Sequence, residues 1–66
     1  MKNTIKIERA LKGITQEDLA KIINVSRQTI NAMEAGKYVP STVLALKIAR
    51  YFGKNVEDIF ELEDGD

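Results

Sequence analysis

Two short amphipathic helices joined by a three-residue turn are predicted between Gln16 and Gly36, and this pattern constrains the fold more than any other feature. Thr15 is a suitable N-cap, and Asp18 three residues later completes a capping-box pattern. Asn24 tolerates the left-handed conformation that ends a helix, and Ser26 can cap the helix that follows. Apolar residues recur at helical spacing in both segments: Leu19, Ala20, Ile23, Ile30 and Met33. Residues 16–35 are therefore predicted to form a helix-turn-helix.

Three further helices are predicted on either side of this unit. The first ends near Gly13, because four apolar residues in this region follow the helical spacing i, i+3, i+4, i+7: Ile7, Ala10, Leu11 and Ile14. Ser41 caps a fourth helix, which has a broad apolar stripe and ends at Gly53. Asn55 caps a short fifth helix, with Asp58 in the reciprocal position. With five helices in one domain spanning residues 1–66, the fold class predicted is all-α.

The two ends of the chain contain short alternating segments. Within residues 2–7, polar and apolar side chains alternate from Thr4 to Ile7, and residues 59–62 include a similar pattern. These segments could pair as strands, but the periodicity equally allows a helix that begins near Thr4. The last residues, within an acidic segment at 61–66, are expected to form a frayed tail.

Three segments carry a family resemblance when read in order. TQEDLA, VSRQTI and EAGKYVPS resemble the Xre or phage-repressor-like helix-turn-helix family, and within it the minimal 66-residue cytolysin-repressor type. The resemblance covers nearly the whole chain. It implies a dimeric DNA-binding repressor and a small antiparallel sheet that joins the two termini. The family usually has Gly where this chain has Asn24.

The third helix is the predicted reading element, because an α-helix fits the major groove of DNA. Arg27 offers a forked donor suited to guanine, and Gln28 can exchange two hydrogen bonds with adenine. The family resemblance implies that three more residues of this helix face the bases: Thr29, Asn31 and Ala32.

Phosphate contacts are predicted from two places. The second helix begins at Gln16, where free backbone amides favour an anion, and the loop after the third helix contains Lys37 and Tyr38. By resemblance, Gln16 also braces Gln28. The resemblance further implies a partly buried salt bridge between Arg9 and Glu34, which would be a structural pair.

Size and composition indicate self-association. A chain of 66 residues buries a modest core, and without Cys or His it has no disulfide and no Cys/His zinc site to stabilise it. A homodimer is therefore expected. Val56, Ile59 and Phe60 offer more apolar surface than one short helix needs, so they are the predicted dimer interface.

The net charge of zero is unevenly distributed. Residues 1–56 hold all ten basic side chains and four acidic ones, for a net charge of +6, whereas residues 57–66 hold the other six acids. Screening limits the reach of exposed charges to about 8 Å at physiological salt, so a basic surface away from the acidic end can still attract DNA.

Other function classes are less consistent with the sequence. No apolar run is long enough to span a membrane and the start MKNTIK is not a signal peptide, so a cytoplasmic location is expected. Without histidine, a Gly-rich phosphate loop or a paired nucleophile and base, neither catalysis nor a cofactor or metal is expected. The alternative to a simple repressor is an antitoxin-type module that binds a protein and regulates its own operon.

Overall fold

The structure is a computed structural model that describes every residue from Met1 to Asp66. It contains five helices and a two-stranded antiparallel sheet, and so confirms the predicted architecture. In chain order the elements are β1 Lys2–Asn3, α1 Ile5–Lys12, α2 Gln16–Ile23, α3 Arg27–Glu34, α4 Thr42–Phe52, α5 Val56–Ile59 and β2 Phe60–Glu61. None of the helices has the length and apolar character needed to cross a membrane.

The ends of α2 and α3 are fixed by the predicted capping residues. The Thr15 amide donates to Asp18 Oδ2 at 2.9 Å, and the Asp18 amide donates to Thr15 Oγ1 at 3.0 Å, which completes the capping box. Asn24 ends α2 in the left-handed conformation, with φ 61° and ψ 52°. Ser26 Oγ then accepts from the Thr29 amide at 3.1 Å and begins α3. The two helices are thus separated by only three residues.

The terminal segments adopt both of the structures that the sequence allowed. β1 pairs with β2 in an antiparallel register that places Lys2 opposite Glu61 and Asn3 opposite Phe60. Helix α1 begins at Ile5, directly after the strand and one intervening residue. The two alternatives are compatible because each strand is only two residues long.

The core lies between α1, the helix-turn-helix and the last two helices. It contains twelve buried apolar residues: Ile5, Leu19, Ala20, Ile23, Ile30, Met33, Leu44, Ile48, Ala49, Phe52, Ile59 and Phe60. Nine of these were predicted, five from the helical spacing in α2 and α3 and four from the apolar stripe on α4. Burial of this apolar surface is the main favourable contribution to folding.

Helix α1 buries a different face from the one that its apolar spacing suggests. Ile7 and Leu11 are 60% and 75% exposed, whereas Ile5 is completely buried and Glu8 is largely buried. Glu8 is accommodated because its Oε2 accepts a hydrogen bond from Lys54 Nζ at 2.6 Å. The buried face of α1 therefore includes charged side chains that are paired with other elements, a pattern that hydropathy alone does not reveal.

The predicted dimer residues divide into two groups. Ile59 and Phe60 are buried in the core of the chain itself, while Val56 is only partly buried. Core packing therefore accounts for the apolar surplus at Ile59 and Phe60, and a dimer interface at this end of the molecule stays a prediction.

The acidic end folds back on the start of the chain, although all of residues 61–66 are exposed. The Asp66 amide donates to the Glu63 carbonyl at 3.1 Å, and the Met1 ammonium lies 3.1 Å from Glu63 Oε1. This arrangement differs from the expected frayed tail.

Substitutions at Asn24 test the geometry of the turn. Because Asn24 has a positive φ, we expect Asn24→Ala to lower the free energy of unfolding by about 1 kcal/mol, whereas Asn24→Gly should be neutral or stabilising. Urea titrations followed by circular dichroism measure both changes. Equal losses for the two variants would show that the backbone conformation is not what Asn24 provides.

Candidate nucleic-acid interface

The outer face of α3 carries three exposed polar side chains that were predicted to read bases. Arg27, Gln28 and Asn31 are exposed at i, i+1 and i+4, so they cover the first two turns of the helix. Thr29 and Ala32 are partly buried. Of the five residues predicted to read bases, three are therefore exposed to a ligand and two are only partly accessible.

Thr29 also takes part in the cap that begins α3. Its hydroxyl lies 2.9 Å from Ser26 Oγ, and its amide donates to the same oxygen at 3.1 Å. These contacts hold the first turn of α3, where Arg27 and Gln28 are located.

The start of α2 lies beside the start of α3. Gln16 and Arg27 line one open cleft of about 420 Å³, together with Arg9, Ile14, Thr15 and Glu17. The first amides of a helix have no partner within it, and the capping box uses those of Thr15 and Asp18 rather than that of Gln16. This places a donor-rich helix end next to a base-reading candidate, the arrangement needed for simultaneous contact with phosphate and base.

The side chain of Gln16 forms no hydrogen bond with Gln28, the residue that the family resemblance expected it to brace. Instead, Gln16 Nε2 donates to Glu34 Oε1 at 3.1 Å and lies 3.4 Å from Asn31 Oδ1. Gln16 therefore connects the start of α2 to the second half of α3. No sequence pattern indicated this pairing, because a glutamine can reach several residues on a neighbouring helix.

The loop after α3 holds the other two predicted phosphate-binding residues, Lys37 and Tyr38, close to the C-terminal end of that helix. The Lys37 amide donates to the Ala32 carbonyl at 2.9 Å, and Gly36 permits the turn with a φ of 74°. The side chains of Lys37 and Tyr38 are both exposed. Both side chains are therefore accessible to a DNA phosphate backbone that runs past the C-terminal end of α3.

The predicted salt bridge between Arg9 and Glu34 is present and lies directly behind this surface. Arg9 Nε donates to Glu34 Oε2 at 2.6 Å and Arg9 Nη2 donates to Oε1 at 2.9 Å, in a bidentate geometry. The side chains are only 13% and 7% exposed. Arg9 also donates to the Ile14 carbonyl at 3.1 Å, so one guanidinium joins α1, the following loop and α3.

The environment of Glu34 favours its ionised form. Burial alone raises the pKa of this carboxyl, but the hydrogen bonds from Arg9 and Gln16, together with the positive charges of Arg9 and Lys6, outweigh burial and leave the pKa below its ordinary value. The hydrogen bond to Glu34 raises the pKa of Arg9 in turn. Glu34 is therefore a carboxylate at neutral pH, with no proton to donate.

Two closely spaced helices with a polar outer face on the second define a protein of the helix-turn-helix class. Comparison with known families agrees, since the family described as "Helix-turn-helix" matches residues 5–59. The chain belongs to this family, and the Xre-type resemblance found in the sequence is confirmed.

Proteins similar to this chain occur in archaea and bacteria. An uncharacterized HTH-type transcriptional regulator of Methanocaldococcus jannaschii is 62% identical over 64 residues, which covers 97% of each chain. A second of the same description, from Bacillus subtilis, is 50% identical over 64 residues, again covering 97% of each chain. A third, from Methanothermobacter thermautotrophicus, is 51% identical over 67 residues and covers 98% of this chain and 97% of the relative.

Loss of the Glu34 carboxylate tests the salt bridge. We expect Glu34→Gln to lower the free energy of unfolding at pH 7 by about 3 kcal/mol, because it leaves Arg9 largely buried without a counter-charge. The folded-state pKa of Glu34 is lowered, so its contribution is complete above the unfolded pKa, about 4.3, and is lost as the pH falls through the folded value. The wild type and the variant should therefore converge in acid.

Urea unfolding between pH 3 and pH 7 measures this convergence. Asp64→Asn is the matched control, because Asp64 is exposed and has no ion pair or side-chain hydrogen bond. A difference between the wild type and Glu34→Gln that stays constant over this range would contradict the assignment.

Proposed function

We propose that the protein is a sequence-specific, double-stranded DNA-binding transcriptional regulator that acts as a dimeric repressor on a palindromic operator. The observation that supports this most directly is the continuous polar surface formed by Gln16, Arg27, Gln28 and Asn31. The relatives described as HTH-type transcriptional regulators support the same class of function.

The chemistry of this surface matches the major groove. Arg27 can donate two hydrogen bonds to guanine O6 and N7, and the amides of Gln28 and Asn31 can both donate and accept. Gln16, Lys37 and their neighbouring amides contact the phosphates on either side and fix the register of α3. The reading residues lie on a helix held by caps and a salt bridge, so little ordering is needed on binding.

A dimer places two copies of α3 on half-sites about one helical turn, or ~34 Å, apart. The structure offers a face for this contact on α4 and the start of α5. Val43 and Leu46 are 64% and 55% exposed, and together with Val56 they line a groove of about 570 Å³.

The groove has basic side chains along its edge, namely Lys47 and Arg50 of α4 and Lys54 of the connection to α5, whereas the exposed Glu57 follows Val56 on α5. A surface with an apolar centre and both signs of charge can be complementary to itself about a two-fold axis. We therefore extend the predicted interface at Val56 to Val43 and Leu46, with Ile59 and Phe60 supporting it from the core. Repression then requires only that the bound dimer occupies DNA needed by the polymerase.

Base readout and phosphate binding are separable by mutation. Arg27→Ala should reduce discrimination at one base position by about 1–3 kcal/mol, because it removes a bidentate contact to a base edge. Lys37→Ala should weaken binding to all sequences alike and reduce the salt dependence, because it removes one phosphate contact. Selection from random duplex DNA, followed by binding assays across a salt series, measures both effects.

The wild type should enrich a palindromic motif whose half-sites are one turn apart. Equal effects of the two variants on selected and random DNA would show that Arg27 does not read a base. The absence of any enriched motif would count against the proposed function as a whole.

The dimer face is tested by adding charge to it. Leu46→Glu should shift the protein from dimer to monomer and weaken operator binding at least tenfold, because it places a carboxylate in the apolar centre of the contact. Sedimentation equilibrium measures the change. Leu11→Glu is the matched control, since Leu11 is equally apolar and more exposed but lies on α1. Dissociation by both variants, or by neither, would place the contact elsewhere.

A further inference from the structure

Glu34, Gln16 and Asn31 form a series of hydrogen bonds. The series links the salt bridge to the proposed reading surface, which is the polar surface of Gln16, Arg27, Gln28 and Asn31. Glu34 Oε1 accepts from Gln16 Nε2 at 3.1 Å, and the same nitrogen lies 3.4 Å from Asn31 Oδ1. The second bond is the longer and weaker of the two. This series of hydrogen bonds begins at Glu34, whose side chain is only 7% exposed, and ends at Asn31, which is exposed on the outer face of α3.

The direction of these bonds follows from the chemistry of Glu34. An ionised carboxylate accepts hydrogen bonds and cannot donate one, so Gln16 must turn its amide nitrogen toward Glu34. The two hydrogens on that nitrogen allow a second bond, and Asn31 must turn its oxygen toward Gln16 to accept it. The Nδ2 group of Asn31 is then the end left free for a ligand. This orientation does not depend on distinguishing nitrogen from oxygen in either amide.

We propose that Glu34, acting through Gln16, is a positioning residue that fixes the amide of Asn31 with its N–H donors toward the major groove. Asn31 then selects a base-edge acceptor, such as guanine O6 or N7 or thymine O4, and disfavours the amino group of cytosine at that position. The inference rests on the proposed function and adds a specificity that residue type alone does not give, because a free asparagine can present either end of its amide.

Gln28 provides a contrast on the same helix. It is exposed and forms no side-chain hydrogen bond, so its amide can turn either way to suit a base. The structure therefore distinguishes an adaptable reader at Gln28 from an oriented reader at Asn31, although the two residue types carry the same functional group.

The test removes the link without removing the salt bridge. Gln16→Met keeps the length of the side chain but cannot donate to Glu34 or Asn31, and Arg9 still pairs with Glu34 through two bonds. Base preferences are measured by selection from random duplex DNA and by competition among single-base variants of the selected site. We expect Gln16→Met to reduce discrimination against cytosine roughly three- to tenfold at one position, the same position that Asn31→Ala affects.

A double-mutant cycle gives the control. Gln16→Met and Asn31→Ala should be non-additive at that position, whereas Gln16→Met and Gln28→Ala should be additive. Thermal unfolding confirms that each variant is folded at the temperature of the assay. A loss of stability alone cannot change the preference at one base pair while leaving the others intact.

Each outcome bears on a different claim. A uniform loss of affinity in Gln16→Met, with an unchanged base profile and an additive cycle with Asn31→Ala, would overturn the positioning role while leaving the DNA-binding function in place. A selected motif with cytosine facing Asn31 in the wild type would overturn it as well. If the wild type enriches no sequence, the proposed function fails and the inference fails with it.

Discussion

The bidentate contact between Arg9 and Glu34 is the interaction on which the arrangement of the helices depends. It joins the C-terminal half of α1 to the last turn of α3, and the third bond of Arg9 holds the loop at Ile14. Glu34 in turn accepts from Gln16 at the start of α2. One largely buried carboxylate thus connects α1, α2 and α3, of which the last two carry the proposed DNA-reading residues, and removal of either ion leaves an uncompensated charge.

Such pairs contribute geometry more than they contribute free energy. Burial of two charges costs several kcal/mol of desolvation, which a good bidentate geometry only approximately offsets. Glu8 and Lys54 form a second pair, in which only the carboxylate is largely buried, and they join α1 to the connection between α4 and α5. In a chain whose apolar core has twelve residues, two directional contacts that each connect distant elements restrict how the helices can pack.

The helix-turn-helix was predictable because its signals are local. Caps at Thr15, Ser26 and Ser41 and the left-handed Asn24 are determined by neighbouring backbone atoms, and all four are as the sequence predicted. The burial of α1 was not predictable from its periodicity. Ile7 and Leu11 have the right spacing for a core face, but paired charges on the other side of the helix are buried in their place. The partners of a long polar side chain such as Gln16 depend on the packing of separate helices, which no short pattern encodes.

The proposed support of Asn31 by Glu34 and Gln16 would let a chain with no net charge distinguish DNA sequences. A strongly basic domain gains affinity from many phosphate contacts, and that affinity is largely independent of sequence. Here six acids near the C-terminus balance the excess of basic side chains, so we expect weaker nonspecific attraction and a larger share of the affinity from the side chains that face the bases. If Glu34 orients the amide of Asn31 as proposed, that amide loses little entropy on binding and penalises the wrong base with an unpaired donor. Selectivity of this kind needs a rigid support more than it needs charge, and the salt bridge behind α3 provides that support.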